Sequence, residues 1–331
     1  MDQVKLANNG RLTTRLGYGC SSIMGALNHR QSLRLLEAAY DAGIRHFDVA
    51  PMYGYGEAES CLGEFLQHHR DDITVATKFG IPPPKRGGAL RAARRVVGPV
   101  IQRVPALKRR LARAAGAVTA PVAKSRFTPD EARASLENSL RQLRTDFIDV
   151  LLLHEAEAHD LTDDGLLQFL EASVAERKIG SFGVGSDSNK IPALLRDRAS
   201  YCRVLQHDWS VLDAPEASST AFHIHHRALT DRLHMLHDTL ISDPQRCRRW
   251  SQATGCDLAR REQLASLMLK AALVLYPGTV LLVSSKNPAH IRENVRVAED
   301  ASLEEPARRL YHLVQSEGFA SAANPLPEDG R

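Results

Sequence analysis

The chain has 331 residues, of which 43% are hydrophobic, and a formal net charge of +4, so it is long and apolar enough to bury a large core. No apolar run reaches the roughly 18–20 residues that a membrane-spanning helix needs, and the N-terminus lacks the apolar region of a signal peptide. Five cysteines stand at irregular intervals with no pair at zinc-ligand spacing, which predicts reduced thiols in a soluble, cytoplasmic protein.

The predicted elements begin with a hairpin and then alternate between strands and helices. Asn9-Gly10 lies between two apolar runs, residues 4–6 and 12–16, and this dipeptide tolerates the positive φ angles of a two-residue turn. Helical periodicity separates most of the apolar strands that follow. The predicted strands are 16–20, 44–48, 73–78, 148–154, 181–185, 204–207, 222–226 and 279–283.

Eight short apolar strands alternating with helices favour a parallel sheet, because each parallel return needs a crossover. We predict a single α/β domain over residues 1–331, a (β/α)8 TIM barrel with an N-terminal hairpin. The alternative is an open doubly wound sheet, whose first turn normally carries three glycines. Gly17-Tyr18-Gly19-Cys20-Ser21-Ser22 lacks the third glycine, which argues against it.

Two long segments follow strands and are therefore expected at the C-terminal face of the barrel, where barrel enzymes keep their sites. One is a long loop at 227–257. The other is an insertion at 81–127, which contains twelve Lys or Arg residues and no acid. The insertion thus carries +12, and the rest of the chain sums to −8.

The basic insertion has two interpretations. It lacks base-stacking aromatic residues and any known nucleic-acid motif, so we expect no nucleic-acid partner, and we expect no membrane partner either. It is then a solvated basic helix, or a lid over the barrel mouth that adds positive potential for an anionic substrate or cofactor. The sequence says nothing about oligomeric state.

Four polar residues stand at or near the ends of predicted strands. Asp48, Lys78 and His154 each end an apolar run, and Tyr53 lies in the loop just after the first of these runs. Neighbouring strand ends in a barrel are only about 5 Å apart. We therefore expect the four side chains to meet, although each alone is equally compatible with a packing role.

The four residue types suit proton transfer to a carbonyl oxygen. A tyrosine hydroxyl titrates near about 10 and needs a nearby cation to stabilise its phenolate. Lys78 can be that cation, Asp48 can hold it, and His154 can hydrogen-bond the substrate oxygen. No side chain supplies a hydride, so a nicotinamide cofactor is implied.

The sequence at these positions resembles the aldo-keto reductase superfamily. The similar stretches are Phe47-Asp48-Val49-Ala50-Pro51-Met52-Tyr53-Gly54-Tyr55-Gly56-Glu57-Ala58-Glu59, Val75-Ala76-Thr77-Lys78 and Asp149-Val150-Leu151-Leu152-Leu153-His154. The resemblance implies a catalytic tetrad of Asp48, Tyr53, Lys78 and His154, with Tyr53 as the acid. It also implies an NAD(P)H-dependent oxidoreductase acting on a small carbonyl or alcohol substrate.

The same resemblance implies a set of cofactor contacts: Ser186, Gln206, His226, Ser285, Lys286, His290 and Asn294. Gly185 and Ser186 depart from the Ser-Asn pair that the family uses for the nicotinamide carboxamide, and His226 stands where the family has an aromatic residue. His290 replaces an arginine that often binds the 2′-phosphate, and Lys286 can compensate. NADP(H) is therefore favoured, with NAD(H) as the alternative.

Two further interpretations concern the histidine-rich strand and the departures from the family pattern. Alternation on a strand places His223 and His225 on one face and His226 on the other. That leaves at most two convergent ligands, so we predict a polar pocket lining and no metal site. The departures at Gly185, Ser186 and His226 also allow a non-catalytic, cofactor-binding regulator or subunit on the same barrel.

Overall fold

The computed structural model describes residues 1–7, 10–25, 27–83, 124–216 and 219–318. Eight parallel strands form a closed barrel, preceded by a two-stranded antiparallel hairpin. The predicted TIM barrel and the predicted hairpin are both confirmed. The strands are β1 (Gln3–Lys5), β2 (Leu12–Thr14), β3 (Leu16–Gly19), β4 (His46–Asp48), β5 (Thr74–Phe79), β6 (Ile148–His154), β7 (Ile179–Gly185), β8 (Val204–Asp208), β9 (Phe222–His226) and β10 (Val280–Val283).

The barrel strands run in chain order from β3 to β10, and β10 closes on β3. All eight predicted barrel strands are present, with ends within a few residues of the prediction. The helices are α1 (His29–Asp41), α2 (Ala58–His69), α3 (Pro129–Leu143), α4 (Asp164–Ala175), α5 (Ile191–Asp197), α6 (Thr230–Ser242), α7 (Pro244–Thr254), α8 (Arg261–Leu275), α9 (Pro288–Glu299) and α10 (Glu304–Ser316).

Two apolar cores stabilise this arrangement. The larger one lies between the barrel wall and the surrounding helices. The smaller one fills the barrel interior and includes Leu6, which follows the first strand of the hairpin and is fully buried among residues of β5, β6, β8, β9 and β10. The hairpin therefore packs on the barrel, and Arg11 binds the buried Asp149 of β6 at 3.0 Å. The opposite end remains available for a site.

The helix starts follow local sequence rules. Thr128 caps α3 with its side chain and Pro129 occupies the first turn, as the sequence predicts. The stretch 227–257, predicted as a long loop, is instead largely helical, since α6 and α7 lie within it. The apolar residues Leu233, Leu236 and Leu240 of α6 are buried at helical spacing.

The connections that leave β5 and β8 are described only in part. Residues 84–123 of the predicted basic insertion lie outside the described residues. The ends of that connection are adjacent, because Ser125 N donates to Gly80 O at 2.7 Å. Between β8 and β9, the described residues 209–216 and 219–221 contain no α-helix.

Within the described ranges, no helix combines the length and the apolar character needed to cross a membrane.

Candidate active site

The four predicted polar residues line one cavity at the C-terminal end of the barrel. Asp48, Lys78 and His154 come from the ends of β4, β5 and β6, which pair in that order, and Tyr53 comes from the turn after β4. The cavity measures about 680 Å³ and contacts all four side chains. Adjacent parallel strands thus bring together residues that are far apart in sequence.

Asp48 and Lys78 form a buried ion pair at the base of the cavity. Lys78 Nζ lies 2.5 Å from Asp48 Oδ1, and both side chains are nearly inaccessible, at 2% and 4% exposure. Lys78 Nζ also donates to Val49 O at 3.2 Å. The second oxygen of Asp48 accepts a hydrogen bond from Gln206 Nε2 at 2.7 Å. Both carboxylate oxygens are therefore committed to holding other groups.

Lys78 remains a cation in this setting. Burial lowers the pKa of its ammonium, but the nearby Asp48 carboxylate and Tyr53 hydroxyl outweigh that effect, and the pKa is raised above its ordinary value. Lys78 Nζ lies 5.1 Å from the centroid of the Tyr53 ring. The site thus keeps one fixed positive charge beside a phenol.

Tyr53 has a pKa that two opposing effects determine. Its surroundings exclude water and raise the pKa of the hydroxyl, which is the larger effect, while the charge of Lys78 lowers it. The net result is a pKa above the ordinary value, so Tyr53 is protonated at neutral pH. Removal of Lys78 would raise that pKa further.

His154 completes the group from the next strand. Its ring lies perpendicular to that of Tyr53, with centroids 6.3 Å apart. Burial and then the positive charge of Lys78 lower the pKa of the imidazole to about 3, so it is neutral and can donate a hydrogen bond from one ring nitrogen. His154 Nδ1 is buried without a hydrogen-bond partner among the described residues.

The turn after β4 determines the direction of Tyr53. Gly54 and Tyr55 both adopt left-handed backbone angles, with φ of 59° and 58°. A Cβ at Gly54 would lie 2.6 Å from Met24 Cβ and 2.8 Å from Ile23 O, so only glycine fits this approach. The turn leaves Tyr55 pointing outward, 41% exposed, and Tyr53 lining the cavity.

Four of the seven predicted cofactor contacts line the same cavity: Ser186, Gln206, His226 and Asn294. Ser186 Oγ is buried without a hydrogen-bond partner in the part of the chain that the structure describes. Burial lowers the pKa of His226 to about 4, so its ring is neutral. A polar wall with an unused hydroxyl fits a carboxamide-bearing ring beside the tetrad.

The other three predicted contacts, Ser285, Lys286 and His290, are not among the cavity-lining residues. They lie at the start of α9, where Asn287 caps the helix through Ala289 N. Lys286 and His290 are exposed. Two basic side chains at a helix N-terminus suit a phosphate outside the cavity, so these three remain predictions for the distal end of a cofactor.

Some lining residues were not singled out from the sequence. Glu155 directly follows His154, and Arg227 directly follows β9. Both residues have positive φ, and both line the cavity. Ser284 directly follows β10 and lines the cavity as well. The signal that identified the tetrad, a polar residue at a strand end, was available for all three.

The histidines of β9 divide between the two faces of the strand, as alternation predicts. His226 lines the cavity, whereas His223 and His225 do not. The expectation that all of these histidines form a polar pocket lining is therefore wrong for His223 and His225. They lie on the outer face of the barrel, beside His207 of β8.

Comparisons with known proteins find a matching family and several relatives. The model of the Aldo/keto reductase family matches residues 15–222. A D-threo-aldose 1-dehydrogenase from a Pseudomonas species is 36% identical over 181 residues, which cover 52% of this chain and 49% of that protein. A pyridoxal 4-dehydrogenase from Microbacterium luteolum is 40% identical over 78 residues, 23% of each chain. The matches thus span about half or less of these relatives.

Solved structures share the fold. An aldo-keto reductase from Bacillus halodurans in its holo form superposes with a TM-score of 0.67 at 18% identity, covering 94% of this chain and 96% of that one. One from Klebsiella pneumoniae in complex with NADP and acetate gives a TM-score of 0.62 at 19% identity, with 94% and 96% coverage. At such low identity, the likeness concerns the fold alone.

Proposed function

This chain belongs to the aldo/keto reductase family, and we propose that it transfers a hydride between a nicotinamide cofactor and a small carbonyl or alcohol substrate. One observation carries the proposal. Lys78 is held as a cation by Asp48 at 2.5 Å, next to the Tyr53 ring, at the base of a cavity that also contains His154.

Tyr53 is the proposed general acid and base. In reduction its hydroxyl donates a proton to the substrate oxygen, and in oxidation its phenolate takes that proton back. Lys78 stabilises the phenolate in both directions. The neutral His154 donates a hydrogen bond to the same substrate oxygen, which polarises the carbonyl and orients it. Asp48 contributes by fixing Lys78 rather than by exchanging protons.

The proposed cofactor is NADP(H), with NAD(H) as the alternative. When bound, it supplies or removes the hydride that no side chain can provide. Ser186, Gln206, His226 and Asn294 would hold its nicotinamide half, while Ser285, Lys286 and His290 would hold a phosphate at the start of α9. The complex of the Klebsiella protein with NADP supports this choice of cofactor.

The proposed substrate class is an aldehyde, a ketone or a sugar. Two relatives whose names specify oxidation, of an aldose and of pyridoxal, support small, oxygen-rich substrates. Arg227 and Glu155 line the cavity and would contact the substrate's other polar groups. Aldoses are therefore the first compounds to assay.

The decisive test replaces Tyr53 by Phe and uses Tyr55→Phe as the matched control. Loss of the proton donor should reduce kcat by about 10²–10⁴-fold, because the ring remains while its hydroxyl is gone. Tyr55→Phe removes the same atom from an exposed ring and should retain wild-type kcat. Absorbance of the reduced cofactor measures both, with aldoses, aldehydes and ketones.

The contrary outcomes are distinct. Full turnover by Tyr53→Phe would exclude Tyr53 as the proton donor. Tight cofactor binding without turnover of any substrate in the panel would instead support the alternative function, a non-catalytic regulator or subunit that binds the cofactor. The altered residues at Gly185, Ser186 and His226 are the basis for keeping that alternative.

A further inference from the structure

A cluster of three histidines and one glutamate lies on the outer face of the barrel wall. His207 belongs to β8, His223 and His225 belong to β9, and Glu216 belongs to the connection between these strands. One ligand atom from each residue falls within 4.8 Å of every other. The sequence predicted at most two convergent ligands here, and that count is wrong, because His207 and Glu216 were not considered.

Strand pairing explains why the cluster forms. His207 lies opposite His225 in the parallel register of β8 and β9, and Leu205 lies opposite His223. Gln206 and His226 face the cavity, so the alternate residues His207, His223 and His225 face outward. The cluster is therefore separate from the proposed active site, on the other side of the same two strands.

The spacing of the ligand atoms suits one metal ion. His225 Nε2 lies 2.8 Å from Glu216 Oε1, His207 Nε2 lies 3.3 Å from the same oxygen, and His207 Nε2 lies 3.3 Å from His223 Nδ1. Bonds of about 2.0–2.1 Å to tetrahedral Zn²⁺ place ligand atoms about 3.3–3.5 Å apart. Two of these three separations match a tetrahedron, and the His225–Glu216 separation is shorter.

The ring nitrogens that point away from the cluster are partly fixed, as metal-binding histidines require. His207 Nδ1 lies 3.1 Å from the carbonyl oxygen of Asp208, and His223 Nε2 lies 2.8 Å from Ser219 Oγ. The ring of His225 stacks on Trp209, with centroids 5.9 Å apart and an interplanar angle of 25°. These contacts direct His207 Nε2, His223 Nδ1 and His225 Nε2 towards Glu216.

Two of the converging atoms lack a hydrogen bond of good geometry. His225 is completely buried, and neither its Nε2 nor Glu216 Oε1 makes a hydrogen bond of acceptable geometry within the described residues, although the two atoms are close. Buried polar atoms are almost always paired. An imidazole nitrogen that lies 2.8 Å from a carboxylate oxygen without good hydrogen-bond geometry is an arrangement that a cation between the two atoms would stabilise.

The charge state also suits a metal. Burial lowers the pKa of His207 and lowers that of His223 to about 4, so both rings are neutral and offer lone pairs. Neutral imidazoles with one carboxylate are the ligands that Zn²⁺ prefers, and the donor set is free of cysteine.

We infer that His207, Glu216, His223 and His225 bind one divalent first-row transition metal ion, with Zn²⁺ as the expected occupant. Four protein ligands leave no open position, which is typical of a structural site. The ion would hold the connection between β8 and β9 against the barrel. That connection lacks an α-helix in its described residues 209–216 and 219–221, where a parallel crossover usually has one.

The test measures bound metal in full-length protein purified without a histidine tag. Protein is stripped with a chelator, incubated with a slight excess of Zn²⁺ and separated from free metal by gel filtration. Wild type should retain about one Zn²⁺ per chain. His159→Ala, which removes a ring that is 75% exposed and remote in sequence from the cluster, is the control and should retain the same amount.

Two variants identify the ligands. His225→Ala should lose the ion. Since that change also opens a cavity, Glu216→Gln, which keeps the side-chain shape, is the deciding variant and should weaken Zn²⁺ binding at least about tenfold. With Co²⁺, wild type should develop visible absorption bands of four-coordinate cobalt, and its Tm should rise with metal, whereas the Tm of Glu216→Gln should rise less.

The inference is overturned if wild type retains no metal after gel filtration. It is equally overturned if Glu216→Gln and His225→Ala bind Zn²⁺ as tightly as wild type, because the metal would then lie elsewhere. In either case the four residues form a polar cluster without a metal. None of these readouts depends on enzyme activity, so failure here leaves the proposed hydride transfer untouched.

Discussion

Asp48 shows how much the role of a residue depends on its partners. A buried carboxylate is costly unless it is paired and hydrogen-bonded. Here one oxygen contacts the Lys78 ammonium and the other accepts from the Gln206 amide. The cost of burying Asp48 is thereby offset, and the same contacts link β4 to β5 and to β8. The proposed catalytic cation and a predicted cofactor contact thus share one anchor.

His154 provides a pH prediction. Because burial and the Lys78 charge lower the pKa of this imidazole to about 3, the ring stays neutral as pH falls from 8 to 5. We therefore expect that His154 causes no loss of kcat for reduction between pH 8 and pH 5.

Tyr53 provides a second pH prediction. In the oxidation direction, kcat should rise with pH above neutrality, because the raised pKa of Tyr53 limits the amount of phenolate that can accept the proton.

The measurement is the pH dependence of kcat in both directions, for wild type and for His154→Gln. The glutamine variant does not titrate and serves as the control. An acidic limb with an apparent pKa near about 6.5, the ordinary value for histidine, would contradict the prediction if it were present in wild type and absent from His154→Gln.

At the scale of elements, β7 and β8 pack unusually close. A Cβ on Gly183 would lie 1.9 Å from Val204 O, whereas a Cβ on Gly185 would meet its nearest atom, Gln206 Oε1, at 3.4 Å. Both glycines are on β7, two residues apart, and face the same side. The close approach at Gly183 therefore helps to place Gln206 beside Asp48.

A matched pair of substitutions tests this packing. Gly183→Ala should lower the free energy of unfolding by about 1–3 kcal/mol, because the added methyl group displaces the β8 backbone. Gly185→Ala should change it by less than about 0.5 kcal/mol. Urea denaturation of both variants measures the difference. Equal stabilities would show that β8 moves aside without cost.

For the whole molecule, charge is distributed unevenly along the chain. The segment 81–127 carries +12 and the remainder carries −8. The flanks of this segment are tied to the barrel, since Ser125 N donates to Gly80 O and the rings of Phe79 and Phe127 lie 5.5 Å apart. We propose that residues 1–331 form one domain with the basic segment as an insertion.

Replacing residues 84–123 by a short Gly-Ser linker should leave a cooperatively folding barrel. We expect the free energy of unfolding to fall by less than about 1 kcal/mol, because both anchored flanks remain. This corresponds to a decrease in Tm of less than about 4 °C. Thermal unfolding followed by circular dichroism measures this. An unfolded product would mean that the segment supplies part of the core.

The same deletion tests the lid hypothesis. If the segment covers the barrel mouth and adds positive potential, the deletion should raise KM for anionic substrates and weaken cofactor affinity, and both effects should diminish at high salt. Unchanged KM and cofactor affinity would exclude a lid and support the solvated basic helix.

The sequence alone determined the barrel, its eight strands and the meeting of Asp48, Tyr53, Lys78 and His154. Short apolar strands and the polar residues at their ends are local patterns, and closure of a parallel barrel brings neighbouring strand ends together. The apolar spacing of α6 and the Asp243-Pro244 start of α7 were equally local, so those two helices were predictable although they were read as a loop.

Only the tertiary structure decided which polar groups beyond the tetrad converge. His207 meets His223 and His225 through the register of β8 with β9, and Glu216 reaches them from an irregular connection. Likewise, the bond between Gln206 and Asp48 crosses the barrel. Strand register and loop path depend on packing across the whole chain, and the periodicity of a single strand does not determine them. Residue spacing in the sequence therefore gave too few converging side chains on the outer face of the barrel.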